Sequence, residues 1–177
     1  MLNIILFLII IGIIVVFVLA NRQPDDFRIT RTGTITAPAS AIFPHVNNLQ
    51  NWEAWSPWAK LDPNAKNSFE GPSEGVDAKM SWAGNNKVGV GSMTVTESRP
   101  SDFIQFRLEF LKPMKATNIA EFTFKPDGDQ TAVTWTMTGI NNFMAKVMGL
   151  FMNCDKMCGG MFEQGLASLK AVVEAGR

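Results

Sequence analysis

Alternating apolar and polar residues in the middle of the chain constrain its fold more than any other feature. In the stretch DFIQFRLEF, the side chains of Ile104, Phe106 and Leu108 alternate with those of Gln105 and Arg107. This period of two predicts a β-strand with one apolar face and one solvated face, which is typical of antiparallel sheets. The same pattern predicts further strands at 27–36, 68–70, 76–82, 91–97, 120–124 and 131–137.

The apolar period changes to that of a helix after Asn141. Apolar residues then recur at spacings of three and four, which predicts a long C-terminal helical region with a break at Gly159 and Gly160. A shorter helix is predicted from Ser40 to about Gln50. We therefore expect an α+β fold in which a curved antiparallel sheet wraps around one long C-terminal helix and leaves a pocket between them.

The first twenty residues are too apolar to belong to a soluble domain. The segment from Leu2 to Ala20 contains no charge, and as a helix it would extend about 28 Å, close to the thickness of a bilayer's hydrocarbon core. A cleaved signal peptide ending at Val18-Leu19-Ala20 is the alternative, but no basic region precedes the segment and its apolar run is long. We expect a transmembrane anchor at 1–21, a linker at 22–26 and one domain at 27–177.

Charge and cysteine content limit the partners and the compartment. Sixteen basic and sixteen acidic residues cancel, and no basic run occurs, which argues against nucleic acid as a partner. Arg22, Arg28 and Arg31 follow the apolar segment, so the positive-inside rule predicts a cytoplasmic domain. Cys154 and Cys158 lie four residues apart in a predicted helix, which is a poor geometry for a disulfide bond.

Five stretches follow one another in a distinctive order between residues 27 and 175. They are ITAPASAIFPHVNNLQNWEAWSPW, KVGVGSMTVTESRP, DFIQFRLEF, TAVTWTMTG and FEQGLASLKAVVE. This ordered set resembles the START-like or SRPBCC superfamily, and more narrowly its polyketide cyclase/dehydratase-type branch, which includes the coenzyme Q-binding proteins. The resemblance implies a helix-grip fold, in which a seven-stranded antiparallel sheet curls around the C-terminal helix and encloses an apolar cavity. It also implies binding of lipids, isoprenoids or other hydrophobic molecules, with catalysis in only some members.

The apolar face of the predicted sheet and the facing side of the C-terminal helix supply the expected ligand-binding residues. Trp52 and Trp55 are placed at the mouth of the cavity. The expected cavity wall consists of Met80, Trp82, Phe106, Phe110, Phe122, Phe124, Trp135, Met137, Phe162 and Leu166.

Three of the five tryptophans, Trp52, Trp55 and Trp58, occur within seven positions. Indole side chains suit a cap over an apolar core, a gate over a ligand, or the headgroup zone of a membrane. The cap is favoured, the gate is the second interpretation and membrane contact is the third. We expect this segment to cover a hydrophobic cavity.

Few residues suit catalysis. His45 is the only histidine and there is no tyrosine. The chain therefore has few side chains that could serve in general acid–base or nucleophilic catalysis. Glu97 shares the alternation of Met93 and Val95, which makes it the one carboxylate expected to face inward and a weak catalytic candidate. No catalytic residue is otherwise predicted, and no metal or cofactor is expected.

Five methionines accompany the two cysteines in the C-terminal helical region. Thioether and thiolate ligands suit Cu(I), but no metal-ligand spacing is present. Flexible methionine side chains more often line an apolar pocket that accepts ligands of varied shape, and we favour that interpretation for this cavity. The five are Met144, Met148, Met152, Met157 and Met161.

The sequence thus predicts a single-pass membrane protein whose domain binds a hydrophobic small molecule, such as a lipid, an isoprenoid or a quinone. One alternative is a cyclase or dehydratase acting on a hydrophobic substrate. Another is an accessory subunit of a larger membrane complex, with residues 2–20 packed among other helices. Apolar cavity walls specify size and shape rather than identity, so the sequence does not name the ligand.

Overall fold

A seven-stranded antiparallel sheet and two long helices dominate the structure, a computed structural model that describes residues 2–176. The helices are α1 (Leu2–Asn21), α2 (Ala39–Asn47), α3 (Trp52–Trp55), α4 (Phe143–Gly149) and α5 (Cys154–Ala175), with short 3-10 helices at Leu49–Asn51 and Pro57–Lys60. The strands are β1 (Asp26–Ile35), β2 (Lys66–Glu70), β3 (Lys79–Ala83), β4 (Val90–Arg99), β5 (Phe103–Lys112), β6 (Ala116–Asp127) and β7 (Gln130–Ile140). Their order in the sheet is β1-β7-β6-β5-β4-β3-β2.

The register of the sheet gathers the apolar residues of the alternating strands on one face. Phe122 of β6 lies opposite Trp135 of β7 and beside Ile104 of β5. Because successive strand residues point to opposite faces, this register places every second residue against α5. The side of the sheet that faces α5 is called the inner face below. The predicted α+β helix-grip architecture is confirmed.

Helix α5 crosses the inner face without interruption. Phe162, Leu166 and Val173 are buried at helical spacing against the sheet. The predicted break at Gly159 and Gly160 is wrong, because α5 is continuous from Cys154 to Ala175 and the chain breaks its helix earlier, at 150–153. Gly159 therefore marks close packing against Arg31, and neither glycine ends the helix.

One predicted strand begins later than its alternation indicates. The sequence predicts a strand from Val76, but β3 begins at Lys79. Asp77 has a φ angle of 69° and Val76 is exposed, so these residues complete the turn that follows β2. An alternating apolar and polar sequence does not reveal a residue with a positive φ angle in a turn.

The two ends of the sheet differ in position relative to α1. At the α1-side end, β1 begins, β7 ends, and the turns 84–89 and 112–115 connect neighbouring strands. At the far end, the turns 71–78, 100–102 and 128–129 make the connections. These two names are used below.

Helix α1 has the length and composition of a membrane span. Its window Asn3–Asn21 has a mean hydropathy of 3.3, and 6% of that window is buried within the protein. A signal sequence near the N-terminus would meet the same criteria. Among residues 2–176, α4 packs most extensively along α1, and its Phe143 ring lies 5.5 Å from that of Phe17.

Candidate functional site

The tryptophan segment forms a rigid part of the interior. The Trp52 indole N–H donates to the carbonyl oxygen of Val46 at 2.9 Å, and that of Trp55 donates to His45 at 2.9 Å. Both acceptors lie in the last turn of α2, where backbone carbonyls lack partners within the helix. Trp52 and Trp55 are therefore fixed by their polar ends while their rings are buried, at 5% and 0% exposure.

The buried rings form one aromatic cluster beneath α5. Trp135 is its centre: its ring stacks on Phe162 at 4.3 Å with an interplanar angle of 4° and lies 4.7 Å from Phe122. Most other contacts are edge-to-face, as the quadrupoles of aromatic rings favour, whereas the rings of Trp52 and Trp55 are tilted by 45° at 4.6 Å. The cluster consists of Trp52, Trp55, Trp58, Phe106, Phe122, Trp135 and Phe162.

Gly165 allows the centre of the cluster to approach α5. A Cβ atom at this position would lie 2.8 Å from the Trp135 ring and 3.1 Å from Pro57. Helix, sheet and tryptophan segment therefore meet at a position where only a hydrogen fits. The sequence analysis did not single out this glycine.

The indole N–H of Trp135 has no hydrogen-bond partner among the described residues, although its atom is buried. Leaving a buried donor unpaired costs about 1–3 kcal/mol, so such groups are uncommon and often functional. The rings that contact Trp135 belong to tryptophan and phenylalanine side chains, which contain no oxygen. The cluster thus contains one polar group whose bonding capacity the protein itself leaves unused.

The residues predicted to contact a ligand share the inner face but differ in burial. Six of them belong to the aromatic cluster, and Phe124 is buried beside Phe43 with ring centroids 5.6 Å apart. Leu166 is buried where α5 crosses Gly33 of β1. The remaining four are only half-buried and lie toward the α1-side end; they are Met80, Trp82, Phe110 and Met137. Ligand contact by this set stays a prediction.

Asn118 is a polar residue of the inner face that the sequence analysis missed. It lies on β6 opposite Gly139 and is 8% exposed. Its amide nitrogen has a weak contact with the sulfur of Met137 at 3.8 Å. The alternation was detectable, since Asn118 has the same parity as Ala120 and Phe122, but the strand was predicted to start only at residue 120.

Glu97, the one catalytic candidate, is not on the inner face. A β-bulge between Val95 and Glu97 shifts the register, so Glu97 lies opposite Gln105 on the outer face. Its carboxylate accepts from Arg99 at 3.0 Å, and 44% of its side-chain surface is exposed. The inward orientation expected from strict alternation is therefore wrong, because a bulge inserts one residue into the count.

The methionines of the C-terminal region lie mainly on the outer surface. Met144, Met148, Met152 and Met157 are exposed, so the expectation that they line the cavity is wrong for these four. Burial raises the pKa of the Cys158 thiol, whereas Cys154 is exposed. Among residues 2–176, no three His, Cys, Asp or Glu side chains converge in a way that would hold a metal ion.

Arg31 connects β1 to the first half of α5. Its guanidinium donates to Glu163 at 2.7 Å and to Asp155 at 3.0 Å. These bonds raise the pKa of Arg31, and the bond from Arg31 lowers the pKa of the Asp155 carboxyl. A Cβ atom at Gly159 would lie 2.0 Å from the guanidinium, so this glycine makes room for the side chain. The ion pairs hold the start of α5 on the edge of the sheet.

Two cavities lie outside the aromatic cluster. One, of about 220 Å³, is at the far end beside Leu49, Phe69 and Ala78. The other, of about 530 Å³, is an apolar cleft between α1 and α4. Within the cluster, the centroids of contacting rings lie 4.3–6.2 Å apart, so a ligand among these rings would have to displace a side chain.

The fold and the inner face define a helix-grip protein of the SRPBCC superfamily. The family model described as "Polyketide cyclase / dehydrase and lipid transport" matches residues 26–174, and the chain belongs to this family. No curated protein matches the chain.

Solved structures share the fold at low sequence identity. Protein CV1439 from Chromobacterium violaceum is 16% identical, with a TM-score of 0.60, over 86% of this chain and 99% of that one. The Aha1 dimer from Colwellia psychrerythraea is 18% identical, with a TM-score of 0.60, over 85% and 98%. Protein MLL2253 from Mesorhizobium loti is 12% identical, with a TM-score of 0.63, over 85% and 99%. At these low identities, the similarities show a shared fold and nothing more.

Proposed function

We propose that this chain is a membrane-anchored binding protein for a hydrophobic small molecule, held between the inner face of the sheet and α5. Lipids, isoprenoids and quinones are the ligand classes that fit this interior. Helix α1 tethers the domain, with the domain on the cytoplasmic side. The family description, which includes lipid transport, supports this class of function.

The unpartnered indole N–H of Trp135 is the observation that carries the proposal. A ligand oxygen that accepted this hydrogen bond would remove the cost of a buried unpaired donor. The rest of the surroundings are aromatic and aliphatic, so the ligand must be apolar elsewhere. A molecule with a carbonyl or hydroxyl oxygen on an apolar body therefore fits better than a pure hydrocarbon.

Trp58 is the ring that would move to admit such a ligand. Its ring lies 5.6 Å from Trp135 and 6.1 Å from Phe162, and it is only partly buried. Trp52 and Trp55, by contrast, are fixed through their N–H groups to α2. This difference assigns the role of gate to Trp58 and the role of cap to the other two.

The half-buried residues of the inner face form an apolar path toward the α1-side end. Trp82 and Phe110 contact each other edge-to-face at 5.8 Å, and Met137 lies on the neighbouring part of the face. Apolar side chains that stay partly exposed often belong to a binding surface. A ligand leaving the bilayer would meet these side chains before it reached Trp135.

The cyclase or dehydratase alternative has less support. Its best candidate, Glu97, is on the outer face and is paired with Arg99. Catalysis requires a reactive group within reach of the bound substrate, and Glu97 is on the wrong side of the sheet for that role.

Indole NMR on the full chain in lipid nanodiscs tests the binding proposal. The five indole N–H resonances are followed while decylubiquinone is added, and Trp135→Phe identifies the Trp135 signal. We expect the Trp135 proton to move downfield as it gains an acceptor, while those of Trp52 and Trp55 change less. The proposal would be contradicted if the Trp135 signal stayed unchanged both at saturating decylubiquinone and on addition of a monoacylglycerol.

A further inference from the structure

A second apolar surface lies beside α1, on residues 140–153, called the α4 segment below. Large apolar side chains of this segment project outward: Ile140 is 77% exposed, Phe151 is 75% exposed and Met144 is 55% exposed. Within the segment, Lys146 is the only charged residue. An exposed apolar patch of this kind usually marks a contact with another apolar phase.

The α4 segment is continuous with the apolar surface of α1. The two helices line one cleft, to which α1 contributes Ile9 to Phe17 and α4 contributes Phe143, Met144 and Val147. Every residue that lines this cleft is apolar or glycine. Any phase that surrounds α1 at this level therefore also reaches the α4 segment.

The depth of these contacts in a bilayer follows from their distance along α1 to its end at Asn21. The positions from Ile9 to Phe17 cover about 12 Å of helix, and Phe17 lies about 6 Å before the end of α1 at Asn21. The α4 contacts are thus about 6–18 Å from the end of α1, whereas the hydrocarbon of one leaflet is about 15 Å thick. If α1 crosses the bilayer, α4 lies within the leaflet that faces the domain.

We propose that the α4 segment inserts into this leaflet beside α1, so that the domain contacts the bilayer through two elements rather than one tether. The occupant of the exposed apolar surface is lipid acyl chain. This inference rests on the membrane anchoring in the proposed function and is independent of ligand binding.

Backbone N–H groups at both ends of α4 have local partners, which suits an apolar environment. Asn142 accepts from the backbone N–H of Ala145 at 2.9 Å and begins α4. At the other end, Phe151 N–H donates to Met148 at 3.0 Å, and Asn153 accepts from Lys156 at 2.8 Å. Backbone groups without partners are not tolerated in hydrocarbon, so this local pairing is what insertion requires.

Lys146 is directed away from the apolar surface. Its ammonium group pairs with the carboxylate of Asp25 in the linker after α1, and its side chain is 11% exposed. Long lysine side chains in membrane segments commonly extend toward the polar boundary in this way. The single charge of the segment is therefore at the level of the linker.

The charges of the connecting turns have the polarity that this orientation requires. At the α1-side end, the turns 84–89 and 112–115 contain Lys87, Lys112 and Lys115 and no carboxylate. At the far end, the turns 71–78, 100–102 and 128–129 contain Glu74, Asp77, Asp102 and Asp129 and no lysine or arginine. Basic groups near the bilayer are attracted to the anionic lipids of a cytoplasmic leaflet, and acidic groups are kept away from them.

Site-directed spin labelling of the full chain tests the insertion. A Cys154→Ser, Cys158→Ala background receives one cysteine at a time: Phe151→Cys in the α4 segment, Ile5→Cys in α1, or Asp129→Cys at the far end. Each labelled protein is reconstituted into vesicles of phosphatidylcholine with about one quarter phosphatidylglycerol. The anionic lipid is included because basic turns are attracted to it. Accessibility to oxygen and to a water-soluble nickel chelate then gives the depth of each label. Circular dichroism checks that each variant is folded.

We expect the labels at 151 and 5 to report hydrocarbon and the label at 129 to report water. A label at 151 in water with the label at 5 in hydrocarbon would overturn the insertion and leave the anchor intact. Labels at both 151 and 5 in water would overturn the insertion together with the anchor. Neither outcome bears on ligand binding, which the indole NMR measures separately.

Discussion

The aromatic cluster and the α4 segment are both rich in large apolar side chains, yet their partners differ. In the cluster, rings contact other rings, and Trp55 is fully buried with its N–H bonded to His45. In the α4 segment, Phe151 and Met144 point away from the protein. The first region completes the folded domain, whereas the second leaves apolar surface for something outside it.

The difference teaches that hydrophobicity alone does not assign a residue to the core. The methionines of 144–157 and the tryptophans of 52–58 are equally conspicuous in the sequence. What separates them is the polar end of the indole, which in Trp52 and Trp55 donates to a backbone carbonyl of α2 while the ring is buried. Methionine has no such group, so its position is decided by the available apolar surface.

The largest expected effect comes from truncating a ring in the cluster. Trp55→Ala should lower the free energy of unfolding by about 3–5 kcal/mol, because it leaves a cavity among packed rings. Phe151→Ala is the matched change on the exposed surface and should cost less than about 0.5 kcal/mol in detergent. Denaturant unfolding of the full chain, followed by near-UV circular dichroism, measures both. Equal losses would contradict the contrast between the two regions.

A charge on the α4 segment should act on membrane insertion rather than on folding. Phe151→Glu should weaken the insertion by up to about 2–3 kcal/mol, the cost of a charged group in hydrocarbon. The native thiol of Cys154, in a Cys158→Ala background, should then react several-fold faster with a membrane-impermeant maleimide in vesicles. Phe151→Leu is the control and should react as the parent does. An unchanged rate for the glutamate variant would indicate that the segment is already in water.

Two glycines of α5 provide a matched test of packing on the two sides of one helix. Gly165→Ala places a Cβ atom 2.8 Å from the Trp135 ring, whereas nothing lies within 4 Å of a Cβ atom at Gly160. Gly160→Ala should stabilise the protein by about 0.5–1 kcal/mol through helix propensity. Gly165→Ala should be less stable than Gly160→Ala by about 1–3 kcal/mol because of overpacking. Thermal unfolding of both variants provides the comparison, and equal stabilities would show that the cluster is loosely packed.

Acid should loosen the α4 segment and leave the aromatic cluster unchanged. The hydrogen bond and charge of Lys146 lower the pKa of Asp25. Because the pKa of Asp25 is lower in the folded state, its ion pair with Lys146 stabilises the folded state above the ordinary pKa of about 4. This stabilisation is lost as the pH falls through the folded-state pKa. A spin label at residue 151 should therefore become more mobile as the pH is lowered from 7 to below the ordinary carboxyl pKa of about 4. Asp25→Asn should be mobile throughout; equal acid sensitivity in this variant would assign the effect to another group.

The sequence predicted the sheet and its inner face well because alternation is a direct consequence of strand geometry. Phe106, Phe122 and Trp135 were assigned to the inner face from alternation alone, and the register places them there. Glu97 was misassigned because a bulge changes the count by one without any signal in the pattern. The glycine pair at 159 and 160 resembles a helix break in the sequence, but Gly159 makes room for the Arg31 side chain and the helix continues through both residues.

The unpaired indole of Trp135 and the orientation of the α4 segment could not be predicted from the sequence. Whether the Trp135 N–H finds an acceptor depends on neighbours from α3, the 3-10 helix at Pro57–Lys60, β6 and α5, which are distant in the sequence. Likewise, the apolar spacing of Phe143 and Val147 indicates a helix but not whether its apolar side faces the sheet or α1. Both features arise from tertiary packing rather than from local pattern.

Native mass spectrometry tests most directly the central claim that the domain binds a hydrophobic small molecule. The full chain is purified from its own host in nanodiscs and released from them in the gas phase. The account predicts a stoichiometric bound molecule that has an apolar body and an oxygen acceptor, differs from the bulk disc lipid, and is retained less by Trp135→Phe. A protein that carries no such molecule, and takes up neither added quinone nor added lipid, would contradict the account.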